Sequence, residues 1–163
     1  MEAMSLYSGS RTEDYPLVRE QIRQLWEPGL PLVSKLSNCS ALLATYLDRT
    51  NWVGFYLWDA ERQELYLGPF QGKVACTRIA KGKGVCGAAS QTLRSQLVPD
   101  VHQFPGHIAC DSASLSEIVI PLIRGDKLMG VLDIDSPELA RFDELDLREL
   151  EAIGAWIAEH WGV

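Results

Sequence analysis

No stretch of this chain approaches the roughly 20 consecutive apolar residues that a membrane span needs. Its first residues, MEAMSLYSGSRTED, hold no apolar core of a secretory signal. Lysine and arginine form no cluster, and the net charge is -7, which argues against a broad nucleic-acid face and favours solubility. No two cysteines stand two to four residues apart, the usual spacing of structural zinc sites. Neither glycine-rich stretch, GPFQGK nor GKGVCG, fits the phosphate-cradling pattern GxxxxGKS/T. Repeats, low-complexity tracts and internal linkers are also absent. These absences point to a cytoplasmic chain, where thiols stay reduced unless they are catalytic or redox-sensing.

What is present suits one soluble domain. The 163 residues are 47% apolar and 23% charged, enough for a sizeable core, with residues 1–12 expected as a flexible N-terminal segment. Val18, Ile22 and Leu25 recur at helical spacing, with Thr12 and Asp14 upstream as caps. Pro31 opens a second helix striped by Leu32, Leu36, Cys39, Leu43 and Leu47, which puts Cys39 on a buried face. NWVGFYLWD then alternates. Val53, Phe55 and Leu57 face one way, and Trp52, Gly54, Tyr56 and Trp58 the other, so the strand is expected to be central and covered on both sides. ELYLGPF adds an antiparallel partner, and residues 74–80 a third strand. KGKGVCGAASQTL reads as a glycine-rich turn entering a short helix, QLVPDV as an extended segment, and Pro99 to Ser116 as a long loop of the kind that carries function. EIVIPLIRGDKLMGVLDID is a hairpin, and Asp143 caps a last helix striped by Leu150, Ile153, Ile157 and Trp161. The order predicts an α+β domain: a mainly antiparallel sheet with the N- and C-terminal helices packed on one face.

Three cysteines lie off that core. Cys110 sits in the small-residue loop GHIACDSASLSE, where a thiol is a reactive group and not a core filler. Cys86 falls in the first turn of the short helix, where the helix dipole would favour a thiolate. Cys76 precedes it by ten residues. Zinc held by these three with His107 or His102 is the first rival reading, disfavoured by the spacing. Three unrelated core thiols are the second.

Asp133 and Asp135 share one face of the last strand with Met129 and Val131. Carboxylates in an apolar strand need a partner: solvent, a metal or a cationic ligand. A Ca²⁺ or Mg²⁺ site would want more oxygens than the sequence supplies. Glu117 joins the two aspartates only if the hairpin is irregular. With a two-residue Gly125-Asp126 loop, paired numbers sum to 251 and Glu117 faces with Ile134. A three-residue loop, or a bulge near Pro121, changes the sum to 252 and sets Glu117 against Asp135. Trp52 and Tyr56 flank Gly54, which leaves room for a ligand. Packing against a helix or a second subunit explains the same pattern equally well.

Together these stretches resemble the free methionine-(R)-sulfoxide reductase family, which is built on the GAF-domain fold. The likeness rests on NWVGFY at 51–56, LGPFQGKVAC at 67–76, GKGVCG at 82–87, DVHQFPGHIACDSASLSEIVIPL at 100–122 and GVLDIDS at 130–136, and it runs from the second helix onward. It implies thiol-dependent reduction of free methionine-(R)-S-oxide. Cys110 would be the attacking thiol, Cys76 the main resolving thiol and Cys86 an alternative disulfide partner. Trp52 and Tyr56 would wall the substrate methyl, and Glu117, Asp133 and Asp135 would be the acidic positions, with Glu117 or Asp135 protonating the sulfoxide oxygen. Backbone N–H groups of the Cys110 loop would hold the substrate carboxylate. The resemblance further implies a homodimer with no metal or organic cofactor, recycled by thioredoxin. A GAF sensor without catalysis, reporting redox state through its cysteines, is the alternative from another class.

Overall fold

The apolar period of the N-terminal segment becomes α1 (Arg11–Leu25), with Tyr15, Val18 and Ile22 turned inward. The computed structural model describes residues 7–107, 110 and 113–162. The helix starts inside the segment read as a flexible arm. Ser8 and Gly9 are tied down by Asp14, which accepts hydrogen bonds from both backbone N–H groups at 2.7 and 2.9 Å. Met1 to Leu6, the rest of that segment, lie outside the described residues. Neither expected cap, Thr12 or Asp14, takes the cap position: both lie inside the helix, Ser10 is the N-cap, and Asp14 binds the chain ahead of it. Pro31 takes the N-cap of α2 (Leu32–Tyr46), and Cys39 is buried as expected.

The sheet is built from β1 (Trp52–Asp59), β2 (Glu64–Gly72), β3 (Arg78–Ala80), β4 (Gln96–Val98), β5 (Ser116–Arg124) and β6 (Lys127–Ser136). Its order is β3-β2-β1-β6-β5-β4, with every neighbouring pair antiparallel. Only residues 78–80 of the expected third strand pair, so Cys76 stays in irregular chain. α3 (Gly84–Thr92) and a short 3-10 turn, Val101–Gln103, lie between β3 and β5, and α4 (Glu144–Glu159) closes the chain.

The alternation along β1 builds two different layers. Val53, Phe55, Ile118, Ile120, Leu132 and Ile134 pack against α1, α2 and α4. Each such fully buried side chain stabilises the fold by about 1.5–3 kcal/mol. The opposite face carries Trp52, Tyr56, Val119 and Val131 and is covered by α3. α4 opens with a reciprocal cap: Asp143 accepts from the Asp146 N–H at 3.0 Å, and Asp146 accepts from the Asp143 N–H at 3.1 Å.

The β5–β6 hairpin has the irregularity that a shared acidic face requires. Near the turn Arg124 pairs with Lys127 and Ile123 with Leu128; from Leu122 opposite Gly130 onward the register has shifted by one, and Glu117 stands opposite Asp135. The extra residue is Met129. A two-residue turn and a bulge beside Pro121 therefore occur together. The bulge also moves Met129 off the aspartates' face, and it packs with the helix-side core instead. That corrects the expected grouping of Met129 with Val131.

Candidate active site

Strand pairing sets the acids in rows across the sheet. Trp52, Asp135 and Glu117 are cross-strand neighbours on β1, β6 and β5; Gly54, Asp133 and Val119 form the next row. Trp52, Asp135, Glu117 and Asp133 point away from the large helices, into a cleft that also borders Tyr56, Cys86, His107, Cys110 and Ser114. The eight site positions read from the sequence divide accordingly. Trp52, Tyr56, Cys86, Cys110, Glu117, Asp133 and Asp135 all line the cleft. Cys76 is joined to Cys110 by a disulfide spanning 34 positions, with Cα atoms 5.4 Å apart.

The acids are unusual in what surrounds them. Glu117 is only 8% exposed and Asp133 only 5%. No lysine or arginine pairs with either among the described residues. Burial, and then the repulsion of Asp133 and Asp135, pushes the Glu117 carboxyl well above its ordinary value. Burial raises Asp133 too, partly offset by hydrogen bonds from Glu117 and Cys86. One oxygen, Asp133 Oδ1, is buried with no hydrogen-bond partner among the described residues. A carboxyl whose raised pKa lets it keep its proton to higher pH can donate that proton to a departing oxygen.

Cys86 overturns the helix-dipole reading. It lies near the start of α3, but it is buried, and its Sγ is 4.0 Å from Glu117 Oε2. Burial, then Asp133 and Glu117, pushes its thiol well above the ordinary value. The partial charge of a helix end is worth less than desolvation beside carboxylates. Cys86 Sγ and one oxygen from each of Glu117 and Asp133 all lie within 4.8 Å of one another. The rival site of three cysteines with a histidine is not built, because Cys76 and Cys110 are spent on each other.

The aromatic wall does a job that the sequence did not reveal. Trp52 Nε1 donates to the Lys73 carbonyl at 3.1 Å, and Tyr56 Oη donates to the Cys76 carbonyl at 2.9 Å. Both rings thus strap down the irregular segment that carries Cys76. Nor is Gly54 a vacant floor: a Cβ there would meet Phe70 Cβ at 2.3 Å and the Trp52 ring at 2.9 Å. The space read as room for a ligand is taken by Trp52, stacked on Phe70 with centroids 5.0 Å apart. Other contributors escaped the sequence reading. Ser114 receives a hydrogen bond from Asn51 Nδ2 at 3.1 Å, and Lys83, just ahead of α3, borders the cleft. Backbone spacing alone carries no signal for either. Of the loop expected to hold a carboxylate, Ile108, Ala109, Asp111 and Ser112 lie outside the described residues.

Known proteins share this architecture. A GAF domain family model matches residues 39–160. The free methionine-R-sulfoxide reductase of Escherichia coli (strain K12) is 48% identical over 146 residues, covering 88% of this chain and 87% of that protein. The structure of fRMsr of Staphylococcus aureus in complex with substrate aligns with a TM-score of 0.83 at 52% identity, over 90% of this chain and 95% of that one. The free methionine-R-sulfoxide reductase from Neisseria meningitidis, in complex with its substrate, aligns with a TM-score of 0.87 at 41% identity, over 96% and 97% of the two chains.

Proposed function

The chain belongs to the GAF domain family and, within it, to the free methionine-R-sulfoxide reductases, and from that premise we propose how its own residues reduce free methionine-(R)-sulfoxide to methionine. The observation that carries the reading is a disulfide, Cys76–Cys110, beside a buried acidic cleft. A sensor reporting redox state through its cysteines would use the oxidisable pair but has no need of a buried proton donor beside it.

In the proposed reaction the Cys110 thiolate attacks the sulfoxide sulfur. Glu117 or Asp135 supplies a proton to the oxygen. The oxygen ends on Cys110 as a sulfenic acid, and the substrate sulfur keeps its electron pair and departs as a thioether. The Cys76 thiol then condenses with the sulfenic acid, releasing water and leaving the disulfide. Cys86 is the alternative partner for that condensation. An external dithiol, proposed to be thioredoxin, reopens the disulfide and is itself oxidised. No metal or organic cofactor takes part in the scheme.

Specificity follows from charge. The substrate ammonium is assigned to the Asp133 and Asp135 carboxyls. Its carboxylate is assigned to Lys83, the positive end of α3 and the backbone of the Cys110 loop. Trp52 and Tyr56 seat the methyl group, and the Trp52 ring favours positive charge developing on sulfur. Methionine inside a peptide lacks both free charges. The working unit is taken as a single GAF-like domain over residues 1–163, paired as a homodimer in the cytoplasm.

The direct test incubates the chain with free methionine-(R)-sulfoxide and dithiothreitol and follows methionine by mass spectrometry. No loss of sulfoxide beside an active control enzyme overturns the reading. Cys110→Ser should form no methionine even in a single turnover. Cys76→Ser should form one methionine per site and recycle poorly with thioredoxin.

A further inference from the structure

We propose that Cys86, Glu117 and Asp133 form a binding site for a borderline-soft divalent cation, zinc being the model case, and that this ion excludes substrate from the cleft. The three ligand atoms lie within 4.8 Å of one another and come from α3, β5 and β6. A tetrahedral zinc ion with bonds of about 2.0–2.3 Å spaces its ligands by roughly 3.5 Å. Binding therefore requires the three ligand atoms to draw together by about 1 Å. An independent observation points to a cation: Asp133 Oδ1 is buried with no hydrogen-bond partner among the described residues.

The donor set selects the ion. Mg²⁺ and Ca²⁺ seek six or more oxygens, whereas one sulfur and two carboxylates suit zinc. A substrate ammonium would use the carboxylates but gain nothing from the sulfur. As the metal bonds form, the Cys86 proton and any proton held by the Glu117 and Asp133 carboxyls leave to solvent; no group is oxidised or reduced. All three residues line the cleft, so a fourth ligand would come from there. Binding itself does not depend on the catalytic reading. The exclusion of substrate does, because it rests on Glu117 and Asp133 serving the substrate.

The test uses Cys76→Ser/Cys110→Ser chain, which keeps only Cys39 and Cys86 as thiols. Anaerobic titration with Co²⁺ should give one ion per chain with a thiolate-to-cobalt charge-transfer band, and Zn²⁺ should bleach it. The band should vanish when Cys86→Ser is added and persist with Cys39→Ser. Asp133→Asn should weaken binding at least about tenfold, the cost of losing even an outer partner of a metal ligand. No band, or a band that survives Cys86→Ser, overturns the site. X-ray absorption at the zinc edge, on protein with Cys86 intact, avoids any folding defect of the variant: one sulfur among oxygens is expected, and a sphere without sulfur overturns it. In reduced, unsubstituted chain, free methionine should raise the apparent Kd for Co²⁺. A Kd indifferent to methionine overturns the exclusion while leaving the band to report on binding.

Discussion

Two groups of buried carboxylates sit on opposite sides of the sheet, and they are stabilised in opposite ways. Asp146 is 0% exposed where α1 meets α4. It accepts the Tyr15 hydroxyl at 2.7 Å and Arg141 Nη1 at 3.4 Å, with Arg11 at 3.1 Å. Glu117 and Asp133 are nearly as buried, yet their neighbours are each other, Asp135 and a thiol. On one face charge is neutralised by placed cations. On the other, burial and mutual repulsion favour the protonated form. The first arrangement fixes the fold; the second supplies the proton in the proposed reaction.

Breaking each side should therefore give different losses. Glu117→Gln is expected to cut turnover about 100-fold or more, the usual contribution of a positioned acid, while the melting temperature holds or rises. Steady-state kinetics beside a melt decides it, and unchanged turnover would assign the proton to Asp135. Asp146→Asn should do the reverse. It removes the charge that Tyr15, Arg11 and Arg141 share, while Arg141 keeps Asp48 at 3.0 Å, and is expected to cost about 1.5–3 kcal/mol of stability, with activity per folded molecule preserved, as read by urea unfolding and an active-site titration.

A milder change probes the strap between the faces' chemistry and the aromatic wall. Tyr56→Phe removes the hydrogen bond to the Cys76 carbonyl, worth about 1 kcal/mol. Disulfide closure should slow by about fivefold, while the first methionine forms at the usual rate in rapid-quench experiments. Equal slowing of both steps would return Tyr56 to a simple packing role.

The smallest expected effect is in the pH dependence of stability. The ordinary Glu117 value is 4.5, and its folded value lies above that. Below pH 4.5 folded and unfolded chains both hold the proton, so the contribution is fully present. As pH rises, the unfolded chain releases its proton first, and stability is lost until the folded value is passed. The melting temperature should therefore fall more in the parent chain than in Glu117→Gln as pH rises above 4.5, and equal falls would place the Glu117 carboxyl at its ordinary value. Asp143 behaves oppositely. The Arg11 hydrogen bond holds its carboxyl below the ordinary 3.8, so its contribution is lost as pH falls through that range.

Much of this was legible in residue order, because strand alternation is a local code. The two faces of β1 and the facing of Asp133 with Asp135 follow from period two alone. So does the need for a broken register before Glu117 could join them. The failures share one cause: they depend on what lies across space. Met129 changed face because the bulge absorbed it. Gly54 was filled by Phe70, sixteen positions away. Cys86 read as an activated thiol until β5 and β6 brought carboxylates to it. Asp146 gave no hint of Tyr15 and Arg11, which reach it from more than 130 positions upstream.

The bulge at Met129 has a meaning for how this hairpin can vary. It acts as a shim between the solvent-facing tip and the pairing that matters. Arg124 to Lys127 can close tightly while Glu117 still meets Asp135. Deleting Met129 would remove the slack and leave every pair beyond it intact. Adding or losing one residue beyond it, between Gly130 and Asp133, would turn the acids toward the helices. Tolerance to length change should thus end abruptly at a single peptide unit, with the tip free to drift and the strand beyond it locked.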